Sequence, residues 1–282
     1  MKDIMKTVLN KEIKQETLSL INDITYTQVE SWFGGTYRDL KMTVICPKNI
    51  TNHEKMPTIL WLCGGGFYRM DRNIWLPQLV RMAQKGFVIA SPDYRTSNEA
   101  AFPEPLKDIK AAIRYLRAKA ERYCIDPDRI YIMGESGGGA YTLLCSVTNG
   151  KKEYDCGDYM EFSSEVQGAV DFYALSDLRK IPFDENKIPA DDDAVGRATA
   201  FLYEHMEECS AILHVDEHTP KTLIFHGTAD ELVPVEQSKI YYERLQDLGV
   251  PSDMYLIEGA AHGDDAFFQE SIYDIIEEFL NN

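Results

Sequence analysis

From about residue 57 onward the apolar positions gather into short dense runs, separated by longer stretches in which apolar residues recur every third or fourth position. The dense runs fall at 58–62, 87–90, 130–133, 166–173, 222–225 and 254–257, and each has the length of a buried strand. The intervening stretches at 76–85, 140–147, 235–248 and 267–280 carry the helical spacing, with Gly249 placed to end the third. A longer helix opens at Pro105, has Ile109, Ala112, Ile113, Leu116, Ala120 and Tyr123 on one face, and is expected to stop at Asp126-Pro127. Strands joined through helices run parallel, because the crossover returns each strand to the same end of the sheet. The pattern therefore predicts an α/β fold: a mostly parallel central sheet flanked by helices. Upstream, 24–30 and 40–46 alternate apolar with polar and are expected to add an antiparallel pair at the sheet edge.

Between about 176 and 220 the periodicity breaks into charged, proline-containing pieces such as Asp184-Glu185-Asn186 and Asp191-Asp192-Asp193. A connection of this length usually carries function or structure of its own, so a cap over the site is expected there, inserted into a single domain. Phe183, Phe201 and Tyr203 of the cap, with Tyr68 and Trp75, are candidates to line a pocket.

The chemistry centres on Gly134-Glu135-Ser136-Gly137-Gly138, which fits G-x-S-x-G and lies between a strand and a helix. Glycines on both sides let the chain turn sharply and present the serine hydroxyl to a base, although a serine in a glycine-rich turn is commonly only a turn residue. A serine hydroxyl needs a base to take its proton and a carboxylate to orient that base. Asp230 follows the run at 222–225 and His262 follows the last run, which gives the order Ser, acid, His at the ends of three strands. Glu231 and Asp177 are the rival acids, and His226 is expected to satisfy its own backbone neighbourhood. The turn Cys63-Gly64-Gly65-Gly66-Phe67 follows another strand, so its unhindered N–H groups, with that of Gly137, are candidate donors to a developing oxyanion. It lacks the lysine and helix start of a phosphate-binding loop.

Together with Pro92-Asp93-Tyr94-Arg95, His226-Gly227-Thr228-Ala229-Asp230 and Gly259-Ala260-Ala261-His262-Gly263, these motifs resemble the α/β-hydrolase superfamily. Within it they resemble the hormone-sensitive-lipase-like and bifunctional feruloyl/acetyl-esterase-like carboxylesterases, from about residue 30 to the end of the chain. The resemblance implies Ser136 as nucleophile, His262 as base, Asp230 as its acid, and Gly65, Gly66 and Gly137 as oxyanion donors. It implies short acyl esters, acetyl before feruloyl, on a carbohydrate. Cys63 stands where those relatives carry a histidine, which puts the bracing of the glycine turn in question and leaves its backbone donors in place.

Charge narrows the partners. With 46 acidic against 29 basic residues the formal net charge is -17, which repels nucleic acid and anionic membranes, so a small-molecule ester is the expected partner. A homo-oligomer is compatible with the sequence. The charged N-terminal stretch lacks the apolar core of a signal peptide, and a cytoplasmic location is the expectation. The six cysteines are scattered, with no metal-ligand spacing, and neither cofactor nor metal is expected. Two rival readings use the same scaffold: amide hydrolysis by the same three residues, and a non-catalytic receptor, against which His262 in its expected setting argues.

Overall fold

A computed structural model of the chain describes residues 11–13, 15–30, 34–49, 54–180 and 204–282. The strands are β1 Leu18–Glu30, β2 Tyr37–Pro47, β3 Met56–Leu62, β4 Val88–Pro92, β5 Ile125–Glu135, β6 Gly168–Phe172, β7 Lys221–Gly227 and β8 Ser252–Ile257. They form one 8-stranded sheet in the order β1-β2-β4-β3-β5-β6-β7-β8. The pairs β1–β2 and β2–β4 are antiparallel and every later pair is parallel, so the mostly parallel sheet with an antiparallel edge is what forms.

The helices are α1 Leu76–Gln84, α2 Glu104–Ala118, α3 Ala120–Tyr123, α4 Ser136–Ser146, α5 Met206–Cys209, α6 Glu236–Asp247 and α7 Glu270–Asn281. Successive side chains of β3 feed opposite faces, which is why its sequence reads as apolar without interruption. Leu60 and Leu62 join a core with Ile109, Leu143 and Tyr241, from α2, α4 and α6. Ile59 and Trp61 join the core on the other face, with Leu79 and Met82 of α1 and Ile276 and Leu280 of α7. Lys85 closes that second layer at its surface, bonding Asp274 at 2.5 Å and Glu277 at 3.0 Å.

Three helix boundaries differ from expectation, one being α4, which begins at Ser136 and not at 140 because the chain turns into the helix directly at the serine. The long helix stops at Ala118, resumes for a short turn to Tyr123, and ends where Cys124 enters the left-handed region at φ 63°. Met56 N–H then donates to Cys124 O at 2.8 Å, so β3 captures the chain before Asp126 and Pro127, which lie within β5. At the other end, the helix expected from 267 begins at Glu270, preceded by a 3-10 turn over Asp265–Phe268. Asp264 caps that turn by accepting from Ala266 N–H at 2.9 Å, and this leaves Phe267 and Phe268 free to pack under the loop that carries His262.

Of the cap expected over 176–220, residues 181–203 lie outside the described residues, and with them Phe183, Phe201 and Tyr203. The flanking residues are anchored. Ser176 and Asp177 donate their N–H groups to Gln237 Oε1 of α6 at 2.9 and 2.8 Å, and Ser210 Oγ accepts from Leu178 N–H at 2.9 Å. No helix among the described residues is long and apolar enough to cross a membrane.

Candidate active site

Ser136 sits where β5 passes into α4, at φ 53°, a conformation that costs a non-glycine residue about 1–3 kcal/mol. The sharp reversal presses the start of α4 against β3. A Cβ on Gly138 would lie 2.2 Å from Leu62 O, so only glycine fits there, and the serine side chain is turned outward and partly exposed.

Sheet order does the rest. Strands β5, β6, β7 and β8 are successive neighbours, so the loops at their carboxyl ends share one edge and bring Ser136, Asp230 and His262 together. His262 Nε2 is 3.0 Å from Ser136 Oγ, and His262 Nδ1 is 2.7 Å from Asp230 Oδ2. An ionised carboxylate only accepts, so Nδ1 carries the proton and the Nε2 lone pair faces the serine hydroxyl. The Asp230 carboxylate is fully buried, and its Oδ1 accepts from the N–H groups of Leu232 at 2.9 Å and Val233 at 2.8 Å. Those bonds fix its direction.

His226 supports the same loop. Its Nε2 donates to Val233 O at 3.0 Å and lies 3.4 Å from Asp230 Oδ2, while Nδ1 accepts from Ser238 Oγ at 2.7 Å. Burial holds its pKa below the usual histidine value, so it stays neutral beside the carboxylate. Behind His262 the ring of Tyr173 packs at 4.6 Å between centroids. The rival acids lie apart from this line: Glu231 is exposed, and Asp177 is bound by Arg179 at 2.8 and 2.9 Å.

The glycine turn meets the start of α4 from the opposite side. A Cβ on Gly137 would stand 3.1 Å from Phe67 N and 3.5 Å from Gly66 N, so the backbone of α4 and the turn's N–H groups abut with no side chain between them. Gly65 and Gly66 are exposed and have φ of 135° and 63°, values that only glycine adopts readily.

Glu135, the variable residue of G-x-S-x-G, holds this turn. Its buried Oε1 accepts from Gly64 N–H at 2.5 Å and from Trp75 Nε1 at 3.2 Å. Burial raises the carboxyl's pKa, although those two donors and the nearby His262 act to lower it. Tyr94 Oη donates to Cys63 O at 2.5 Å from beneath. Cys63 itself is buried, and burial pushes its thiol up to about 12, so it stays protonated at neutral pH. Bracing of the turn thus falls mainly to Glu135, Trp75 and Tyr94, with the Cys63 thiol donating weakly to the same Glu135 Oε1 at 4.0 Å. Trp75, a candidate pocket residue from sequence, instead stacks on Phe268 at 4.4 Å. Sequence reasoning passes over Glu135, although one signal is there: an ionisable side chain just beyond the apolar run 130–133.

A hydroxyl, an imidazole and a buried carboxylate in line, facing a turn of backbone N–H groups, are the parts that acyl transfer requires. Among the described residues no group of three or more His, Cys, Asp or Glu is arranged to hold a metal ion.

Known proteins of two kinds, curated sequences and solved structures, resemble this chain. A family model, BD-FAE, matches residues 42–245. Esterase LipC of Mycobacterium tuberculosis is 28% identical over 214 residues, 74% of this chain and 53% of LipC. The probable isoprenylcysteine alpha-carbonyl methylesterase ICMEL1 of Arabidopsis thaliana is 26% identical over 256 residues, 86% of this chain and 52% of that protein. The chain thus spans about half the length of these curated relatives. Among solved structures, a truncated carbohydrate esterase from gut microbiota superposes with a TM-score of 0.76 at 25% identity, covering 93% of this chain and 95% of that one. Butyrate-bound Est2 of Thermogutta terrifontis gives a TM-score of 0.74 at 25% identity, covering 95% and 94%.

Proposed function

Because the chain belongs to the BD-FAE family of α/β-hydrolases, whose model matches residues 42–245, we propose that it is a metal-independent serine carboxylesterase. The observation that carries the reading is the unbroken line from Ser136 Oγ through His262 to Asp230, at 3.0 and 2.7 Å. In this reading His262 Nε2 takes the hydroxyl proton as Ser136 Oγ bonds to the ester carbonyl carbon. The negative charge that builds on the carbonyl oxygen is met by the N–H groups of Gly65, Gly66 and Gly137. Collapse breaks the bond to the alkoxy oxygen, which leaves as the alcohol with the proton from His262. Water, deprotonated by the same nitrogen, then attacks the acyl-enzyme and releases the acid.

Short acyl groups, acetyl foremost, on a carbohydrate alcohol are the proposed substrates. The gut carbohydrate esterase and butyrate-bound Est2 support that choice of alcohol and of acyl length. We read the chain as one hydrolase domain, with the stretch from about 176 to 220 as its cap. The test is Ser136→Ala on a chromogenic acetate ester. Loss of about four to six orders of magnitude in kcat, with native circular dichroism, is expected. Activity retained within tenfold overturns the assignment.

A further inference from the structure

Tyr173 follows β6 directly, with φ at 44°, in the left-handed region that glycine enters freely and that costs a residue with a side chain about 1–3 kcal/mol. Bonds on both sides hold it there. Tyr173 N–H donates to Phe225 O of β7 at 2.8 Å, and Ala174 N–H donates to Asp171 Oδ1 of β6 at 3.0 Å. The bend is also seated on α4: a Cβ on Gly139 would stand 2.9 Å from both Asp171 Oδ1 and Ala174 Cβ, and 3.2 Å from Phe172 O. The helix that begins with Ser136 and the turn that carries Tyr173 therefore meet with only a glycine between them.

What the bend aims is a ring. Tyr173 is fully buried, and its ring centre lies 4.6 Å from that of His262 and 4.6 Å from that of Phe267, so the three rings are in successive contact. The Tyr173 hydroxyl is buried with no hydrogen-bond partner among the described residues. Burial, with the carboxylates of Glu135 and Asp230 nearby, raises its pKa and keeps it protonated. It takes no proton in the reaction, and the contribution of the side chain is its ring. His262 itself lies between Gly259 and Gly263, both at positive φ, and its bond to Asp230 fixes one nitrogen only. A ring held at one nitrogen can still pivot, and a misplacement of about 1 Å can cost ~10²-fold in rate.

We propose that Tyr173 is a positioning residue for the hydrolysis: its ring, carried on the turn that backs α4, holds the His262 imidazole in line with Ser136 Oγ. The proposal rests on the ester-hydrolase reading and adds to it a buried residue outside the three that act in line. It is tested on the full chain with 4-nitrophenyl acetate, and by NMR of protein carrying isotopically labelled histidine. Tyr173→Phe keeps the ring and is expected to keep kcat within about twofold. Tyr173→Leu stays apolar but removes the ring, and kcat is expected to fall by about 10- to 100-fold with KM within about twofold. The His262 Nδ1 proton is expected to be sharp in wild type and in Tyr173→Phe, and broadened by exchange with water in Tyr173→Leu, a change that a general loss of stability does not bring. Where Tyr173→Leu fails to fold, Tyr173→Met is read in its place, because its flexible side chain fills irregular gaps. A Leu or Met variant with native circular dichroism, kcat within twofold of wild type and a sharp Nδ1 proton overturns the positioning role and leaves the esterase reading standing. Equal losses in Tyr173→Phe and Tyr173→Leu also overturn it, since they assign the effect to the hydroxyl. A wild type that hydrolyses no ester, with the Nδ1 proton broadened only when the ring is removed, sinks the esterase reading and keeps the hold of Tyr173 on His262.

Discussion

Replacing Asp230 by asparagine leaves Oδ1 able to accept from Leu232 and Val233 but turns an amide N–H toward His262 Nδ1, where a proton already sits. The imidazole then adopts the other tautomer and loses its lone pair toward Ser136. kcat on a chromogenic acetate should fall by about 10³–10⁴, while Glu231→Gln, at an exposed position, should stay within about twofold. The opposite ranking would transfer the role to Glu231. At the glycine turn the contrast is between Cys63 and Glu135. Cys63→Ala removes a protonated thiol and should keep kcat within about tenfold. Glu135→Ala strips the acceptor from buried Gly64 N–H and from Trp75 Nε1, which should cost about 1–3 kcal/mol in urea unfolding. Glu135→Gln keeps a carbonyl acceptor there and should lose less. Equal losses for Ala and Gln would show that the negative charge, and not the hydrogen bond, is what matters.

At the scale of the element, the connection from β7 into α6 is the part whose stability follows pH. It carries Asp230 and is tied down by His226, whose folded pKa lies below the unfolded value of ~6.5. As pH falls below ~6.5 the unfolded chain takes up a proton that the folded chain refuses, so stability falls with pH in that window and is flat above it. The advantage of wild type over His226→Gln, read as unfolding free energy, should therefore narrow from pH 7.5 to pH 5. The limiting slope is about 1.4 kcal/mol per pH unit. Burial raises the pKa of Glu135 and favours the fold as pH falls, but that group is common to both proteins and cancels in the difference. A gap that does not change with pH would mean that His226 titrates alike in both states.

For the whole molecule the dominant quantity is the net charge of -17. Two of the three arginines nearest the motifs are already neutralised: Arg72 by Asp93 and Asp23, and Arg95 by Asp108 and Glu104. The long-range field should therefore repel an ester that carries a free carboxylate. Raising ionic strength from ~10 to ~150 mM shortens the screening length from ~30 to ~8 Å. kcat/KM for an anionic acetate ester should then rise several-fold relative to a matched neutral ester. Preference for the anionic ester at low salt would show that Arg69 outweighs the field of the whole chain.

What the linear sequence determined is the local part of this molecule. Burial on both faces writes strands as uninterrupted apolar runs, and a turn too tight for a Cβ writes itself as glycine, so the sheet and the positions of Ser136, Asp230 and His262 after their strands were legible. The partners that act across the sheet were not. Glu135 reaches Gly64 because β3 and β5 are neighbours, Trp75 finds Phe268 because α1 and the C-terminal segment cover the same face, and the long helix ends at Cys124 because β3 takes its carbonyl. Periodicity reports which side of an element is buried, not which distant residue buries it. The fit of the three loops into one site, and of the Tyr173 ring against His262, was decided only when the strand order brought those ends together.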